Sequence, residues 1–282
     1  AGFASAWAYE NTAANPSGAV SVVIALTCAI LASMAGGLIY AFLTISLRAN
    51  QNVTGLALTT FGMGVANFFG VFILNGASYS AAPIANKAFS AKIPVLSTLG
   101  GFGQVVFSYG FLVYAAIALA IALHWFLTRT RAGLNLRAVG ENPATADAAG
   151  INVTLYKYLA TCIGAGICGI GGLYYVLDYN QGIWATTGQI EALGWLAVAL
   201  VIFTTWKPLN AIWGAYLFGM LYWLYQFLPT LLGITMASHI TDLVQMLPYV
   251  VTIVVLIVVS MRKKKENQPP AHLGLAYFRE ER

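Results

Sequence analysis

Arg137-Ala138-Val139-Gly140-Glu141-Asn142-Pro143-Ala144-Thr145-Ala146-Asp147-Ala148-Ala149-Gly150-Ile151-Asn152-Val153 is the longest polar interruption between hydrophobic runs in this chain. It carries its own helix punctuation. Asn142 is suited to N-cap, and Pro143 to the first helical position, where a missing N–H costs nothing. Gly150 can close the far end in a left-handed conformation. The seven residues Pro143 to Ala149 between them predict a helix roughly 10 Å long at ~1.5 Å rise per residue. Its side chains are mostly methyl groups, which let another protein approach the backbone closely. A helix this short is marginal in water, so something outside the segment must hold it. From spacing alone, a docking element and an ordinary helical loop between two spans both remain open.

The flanks of this stretch decide the class. A span needs about 20 apolar residues. Such runs occupy about Ala19 to Leu47, Val53 to Leu74, Phe102 to Leu127, Tyr158 to Leu177, Leu209 to Leu228 and Leu243 to Met261. A shorter piece covers Ile190 to Phe203, and residues 76–100 are polar with Lys87 and Lys92. Placing the 128–157 loop in the cytoplasm follows from the positive-inside rule. Arg48, Arg129, Arg131, Arg137, Lys157, Lys207, the Arg262–Lys265 cluster, Arg279 and Arg282 then all fall inside, and Lys87 and Lys92 outside. The alternation holds only if residues 190–205 cross or re-enter the membrane.

Composition agrees. Of 282 residues, 59% are hydrophobic and 8% charged, with a mean hydropathy of +0.76, where soluble domains carry about 25% charge. The long apolar runs exclude a β-barrel, whose strands alternate on a shorter period. An all-α, polytopic membrane protein is expected, one transmembrane domain over 1–282 with a cytoplasmic tail at 262–282. The net charge of +5 belongs to topology, and no nucleic-acid partner is implied. Residues 1–7 lack a basic n-region and do not form a signal peptide. Cys28, Cys162 and Cys168 lie in apolar runs and read as buried packing residues. They form no disulfide framework, and no His/Cys cluster has metal-ligand spacing.

Several motifs fail in context. Gly164-Ala165-Gly166-Ile167-Cys168-Gly169, with Glu191 downstream, matches a dinucleotide-binding pattern but sits inside a continuous apolar run, without the strand and turn that pattern needs. Ala160, Gly164, Cys168 and Gly172 instead recur every four residues, as a close-packing helix face would. Asp178, Glu191 and Asp242 sit at span ends, where water reaches them, so no midplane acid marks a proton- or sodium-coupled carrier. His124, beside Trp125 at the end of a span, reads as an interface residue. The sequons at Asn52 and Asn152 lie on the cytoplasmic side and are read as chance. Asn67, Asn75 and Gln104 are candidates for a route taken by a hydroxylated solute, although hydrogen bonds between helices are the commoner fate of such residues. No lysine follows a glycine anywhere, so the chain has no P-loop.

Gly133-Leu134-Asn135-Leu136-Arg137-Ala138-Val139-Gly140-Glu141-Asn142-Pro143, continuing into Ala148-Ala149-Gly150-Ile151-Asn152-Val153, resembles the cytoplasmic loop of permease subunits from ribose- and nucleoside-type ABC importers. Trp206 to Gly219 is similar to that family's cytoplasmic turn and following span, and Gln245 to Thr252 to the start of its last span. The tail from Gln268 through Tyr277-Phe278-Arg279-Glu280-Glu281-Arg282 looks like the nucleoside branch. The resemblance is specific from about residue 130 onward and loose over 20–125. A Gly-Val-x-Asn-Ile-Gly-Leu-Glu-Gly-like segment usual near the family's N-terminus is absent, so the chain looks shortened by a span or more.

The resemblance implies a non-enzymatic subunit of the bacterial cytoplasmic membrane that moves nucleosides by alternating access. Its implied partners are an ABC ATPase that binds ATP and Mg, a second permease subunit and an extracellular substrate-binding lipoprotein. No cofactor or metal is implied in this chain itself. Gly140, Glu141, Asn142, Pro143, Ala144, Thr145, Ala146, Asp147, Ala148, Ala149, Gly150 and Ile151 would form the coupling element. Gly140 and Gly150 would set its turns, and a bulky charge at Ala146 would block it. A simple-sugar permease is the alternative in the same superfamily. An ATP-independent channel leaves the capped helix unexplained, and a membrane enzyme lacks any nameable nucleophile or acid pair.

Overall fold

The computed structural model describes residues 1–74, 82–91, 109–184, 189–232, 246–262 and 268–278. In chain order the helices are α1 (Gly2–Thr12), α2 (Gly18–Ala41), α3 (Gln51–Leu74), α4 (Pro83–Phe89), α5 (Phe111–Arg129) and α6 (Arg131–Glu141). They continue with α7 (Pro143–Ala148), α8 (Val153–Tyr174), α9 (Gln189–Phe203), α10 (Pro208–Leu232) and α11 (Leu247–Arg262). No strand occurs among the described residues. Four stretches there are long and apolar enough to cross a membrane: Gly18–Ser46, Gln51–Gly70, Phe111–Arg129 and Val153–Tyr179. The apolar runs become helices for a plain reason: in hydrocarbon only internal hydrogen bonds can satisfy the backbone. The 15 residues of α9 span about 22 Å, short of a full crossing.

The chain forms two compact units. One comprises Ala1–Ala116, Asn142–Glu191 and Gly274–Arg282, the other Ile117–Glu141 and Ala192–Leu273.

In the first unit α2 and α8 form the main helix pair. Their contact is made of small residues. A Cβ added at Gly37 would lie 2.5 Å from the Ala165 Cβ, and one at Gly169 would lie 2.8 Å from the Ala29 carbonyl. On α2, Ser21, Ala25, Ala29, Gly37 and Ala41 are buried, all on a four-residue period. The face expected on α8 is corrected. Gly164 and Gly172 have nothing within 4 Å of an added Cβ, and Cys168 is exposed. The contacting face is Cys162, Ala165, Gly166 and Gly169, one position away. Cys28 and Cys162 are half-buried and all three thiols are free, so only part of the buried-cysteine expectation survives.

Both α2 and α8 end in a π turn, Phe42–Ser46 and Tyr175–Tyr179. The two closures match. Leu47 N donates to Phe42 O at 3.1 Å and Ala49 N to Leu43 O at 3.0 Å, with Arg48 left-handed (φ 55°). Asn180 N donates to Tyr175 O at 2.9 Å and Gly182 N to Val176 O at 2.8 Å, with Gln181 left-handed (φ 52°). The next helix, α3, is started by Asn50, whose Oδ1 accepts from Asn52 N at 3.0 Å and Val53 N at 3.2 Å.

Two helices in this unit, α1 and α4, lie outside the apolar runs. α1 packs on α2, with Gly2 close to the Ala25 carbonyl. Glu10 on α1 then caps α4. Its carboxylate accepts from Ile84 N (3.1 Å), Ala85 N (2.6 Å) and Ser21 Oγ (3.1 Å). This places a negative charge at the positive end of α4.

In the second unit, the Arg-rich loop expected after α5 contains the amphipathic helix α6 instead. Thr130 caps it, its Oγ1 accepting from Gly133 N at 3.0 Å. Gly133 sits against the Phe126 carbonyl, where a Cβ would overlap. α10 and α11 pack together. The turn between α9 and α10 holds Thr205 and Trp206 left-handed (φ 54° and 56°).

Gly37→Val should drive α2 and α8 apart and cost about 1–3 kcal/mol, read as a lowered Tm in detergent. Gly164→Val, facing open space, should leave Tm close to wild type; the reverse ranking would overturn the assignment of Cys162, Ala165, Gly166 and Gly169 as the packing face.

Candidate functional site

The polar stretch folds as its caps predict. Asn142 Oδ1 accepts from Thr145 N at 3.0 Å, and Pro143 opens α7. Ala149 N donates to Thr145 O at 3.1 Å, and Ile151 N to Ala146 O at 3.0 Å. Gly150, at φ +83°, makes the left-handed closure. Two residues on, Asn152 Oδ1 accepts from Leu155 N at 3.0 Å and starts α8. That residue is a helix cap, which accounts for the asparagine of the sequon there. The helix ends at Ala148, one residue short of the expected bound.

Burial sorts the candidate residues in a way spacing could not. Pro143 is fully buried and Ala146 is 3% exposed. Ala144, Thr145, Ala148 and Ala149 are exposed, Asp147 and Ile151 half-buried. Ala146 therefore faces the chain's own interior, and a bulky residue there would disrupt folding before it touched a partner. Glu141 is exposed at the end of α6. Gly140 also departs from expectation. It lies inside α6 in helical conformation, its carbonyl accepts from His272 N at 3.1 Å, and an added Cβ would meet only Pro270 at 3.6 Å. Of Gly140 and Gly150, only Gly150 supplies a turn.

Composition points to an exposed tail, yet residues 276–278 are half-buried. Tyr277 donates its hydroxyl to Asp147 Oδ2 at 3.0 Å. The Lys157 ammonium lies 5.8 Å from the Tyr277 ring centroid, and the Arg48 guanidinium carbon 4.6 Å from that of Phe278. A cavity of about 370 Å³ opens beside α7, lined by Arg48, Gln51, Asp147, Asn152, Lys157 and Tyr277 among others. No metal-ligand cluster occurs among the described residues. Of the candidate solute-route residues, Asn67 is half-buried on α3. Asn75 and Gln104 lie outside the described residues, as does Asp242.

A set of apolar helices carrying a short capped helix on a basic connection defines a polytopic membrane protein. Residues 1–258 match the family described as branched-chain amino acid transport system / permease component, and the chain belongs to that permease family. It is a multi-pass protein of the cytoplasmic membrane. It is 37% identical to the putative glucose ABC transporter permease protein TsgC13 of Haloferax volcanii over 68% of this chain and 57% of that one. It is 36% identical to the guanosine ABC transporter permease protein NupQ of Bacillus subtilis, over 67% and 60%. It is 32% identical to the nucleoside ABC transporter permease protein NupC of Lactococcus lactis, over 77% and 67%. The chain thus spans less than two thirds of the length of the first two relatives. No solved structure matches it.

Gly150→Ala should strain the left-handed closure by about 1–2 kcal/mol, and Asn142→Ala should cost about 1 kcal/mol of cap. Gly140→Ala should be tolerated. Hydrogen exchange of the amides of residues 144–151 checks this: faster in the first two variants, unchanged in the third.

Proposed function

We propose that this chain is the transmembrane subunit of an ATP-driven importer of nucleosides, its two compact units serving one permease domain. The observation that carries the reading is α7. It is capped at both ends and anchored inward by Pro143 and Ala146, and it presents only the small side chains Ala144, Thr145 and Ala148 outward. Such a face suits close docking of a second protein. The similarity to permeases named for guanosine and nucleosides supports the ABC class and the substrate.

In this reading a separate ABC ATPase binds ATP and Mg and closes on α7. A second permease subunit completes the pathway, and an extracellular binding lipoprotein delivers solute. ATP-driven displacement of α7 then changes which side of the membrane the solute route faces. The segment 140–151 acts as the coupling element, with Asn67, Asn75 and Gln104 as candidates along the route. A sugar cargo is the second reading, favoured by the relative named for glucose transport at 37% identity. Nucleosides and sugars share a ring of hydroxyls, so the same polar groups serve either.

The test is uptake of labelled guanosine, uridine, glucose and leucine into proteoliposomes holding the full-length permease pair, ATPase and binding protein. Nucleoside accumulation only with ATP is the expected result. ATP-dependent glucose or leucine uptake would keep the machine and change its cargo, and equilibration without ATP would replace it by a channel. Ala144→Arg, on the outward face, should reduce ATP-driven uptake by at least about tenfold, as a charge buried at an interface centre does.

A further inference from the structure

We propose that Leu275–Phe278 is a positioning strap that ties α7 to the cytoplasmic ends of α2 and α8 and carries its displacement to them; this rests on the coupling reading above. The physical problem starts with α7 itself. Its six residues make too short a helix to persist alone, and its outward face must stay clear for a partner. It can be held only from its inner face and its flank. Pro143 and Ala146 hold the inner face. On the flank stands Asp147, whose Oδ2 accepts from the Tyr277 hydroxyl at 3.0 Å. A hydrogen bond to a carboxylate is directional and stronger than a neutral one.

The strap is in turn gripped at two places far apart in sequence. Lys157, one turn into α8, faces the Tyr277 ring, and Arg48, two residues past the π turn that ends α2, lies over the Phe278 ring. Each is a cation set against an aromatic face. Arg48 holds a left-handed backbone conformation at φ 55°, where a residue without a Cβ would be less strained. Beyond the covalent link through Gly150–Asn152, the strap gives α7 a second mechanical connection, and this one reaches the α2–α3 junction. Tyr277 acts through Asp147 and is a positioning residue with no contact to substrate.

The experiment compares wild type, Tyr277→Phe, Asp147→Ala and the double variant in the reconstituted full-length system, reading guanosine imported per ATP hydrolysed. ATPase-subunit affinity and hydrogen exchange of residues 144–150 are read alongside. Tyr277→Phe keeps the ring over Lys157 and removes only the hydroxyl. It should lower import per ATP by about fivefold and speed exchange in α7, with ATPase affinity unchanged. The double variant should lose no more than Asp147→Ala alone. An unchanged import ratio with unchanged exchange, or a loss explained by weaker ATPase binding, would overturn the strap. Should Tyr277→Phe not insert stably, Asp147→Asn replaces it: it keeps an acceptor oxygen and removes the charge that strengthens the bond. Lower import per ATP with faster exchange in α7 supports the strap, and an unchanged ratio with unchanged exchange overturns it. ATP-independent uptake by wild type would sink the importer reading alone, leaving the exchange rates to judge the strap.

Discussion

In hydrocarbon, a backbone N–H or C=O without a partner costs several kcal/mol by order of magnitude, and the organisation of this chain follows from avoiding that cost. Apolar runs become helices because no other local structure satisfies them. Breaks between runs need groups that close the free ends, and the chain supplies them repeatedly. Asn50, Thr130, Asn142 and Asn152 each accept from backbone N–H groups at a helix start, and left-handed Arg48, Gly150 and Gln181 close helix ends. Lipid tails are as apolar as leucine and give helices little reason to associate, so close van der Waals approach must do that work. The pairing of α2 with α8 through Gly37, Ala165 and Gly169 meets that need.

How much of the fold is legible in the sequence depends on the range of the interaction. The all-α membrane class and the caps of α7 are legible, because hydropathy and capping act within a few residues. α6 is not, since its arginines and its two glycines resemble loop chemistry. α1 is held by packing on α2, and α4 is capped by the Glu10 carboxylate across more than seventy residues. The face of α8 is ambiguous in sequence because glycines at 164, 166, 169, 171 and 172 offer several overlapping small-residue stripes. The better guide is the regular series on α2 from Ser21 to Ala41, to which α8 conforms.

The same lesson applies to the candidate site. Spacing identifies the helix but not its sides, so in sequence Ala146 looks as available as Ala144. A two-turn helix has only one face to lose, and here Pro143 and Ala146 occupy it. The tail's role is hidden for a different reason. Tyr277 and Asp147 are 130 residues apart, and nothing local to either announces the other. Composition marks the tail as polar and misses the aromatic pair Tyr277 and Phe278.

The two π turns bear on how the membrane helices tolerate change in length. A π turn holds one residue more than the α-helical turn it replaces. Removing a residue from Phe42–Ser46 or Tyr175–Tyr179 would let that turn relax into ordinary α-helix. The small-residue faces of α2 and α8 lie ahead of these turns and would keep their register. Deleting a residue between Ala25 and Gly37 would instead rotate half of α2 by about 100° and carry its glycine off the contact. The C-terminal ends of these two helices therefore absorb a single-residue deletion and their middles do not.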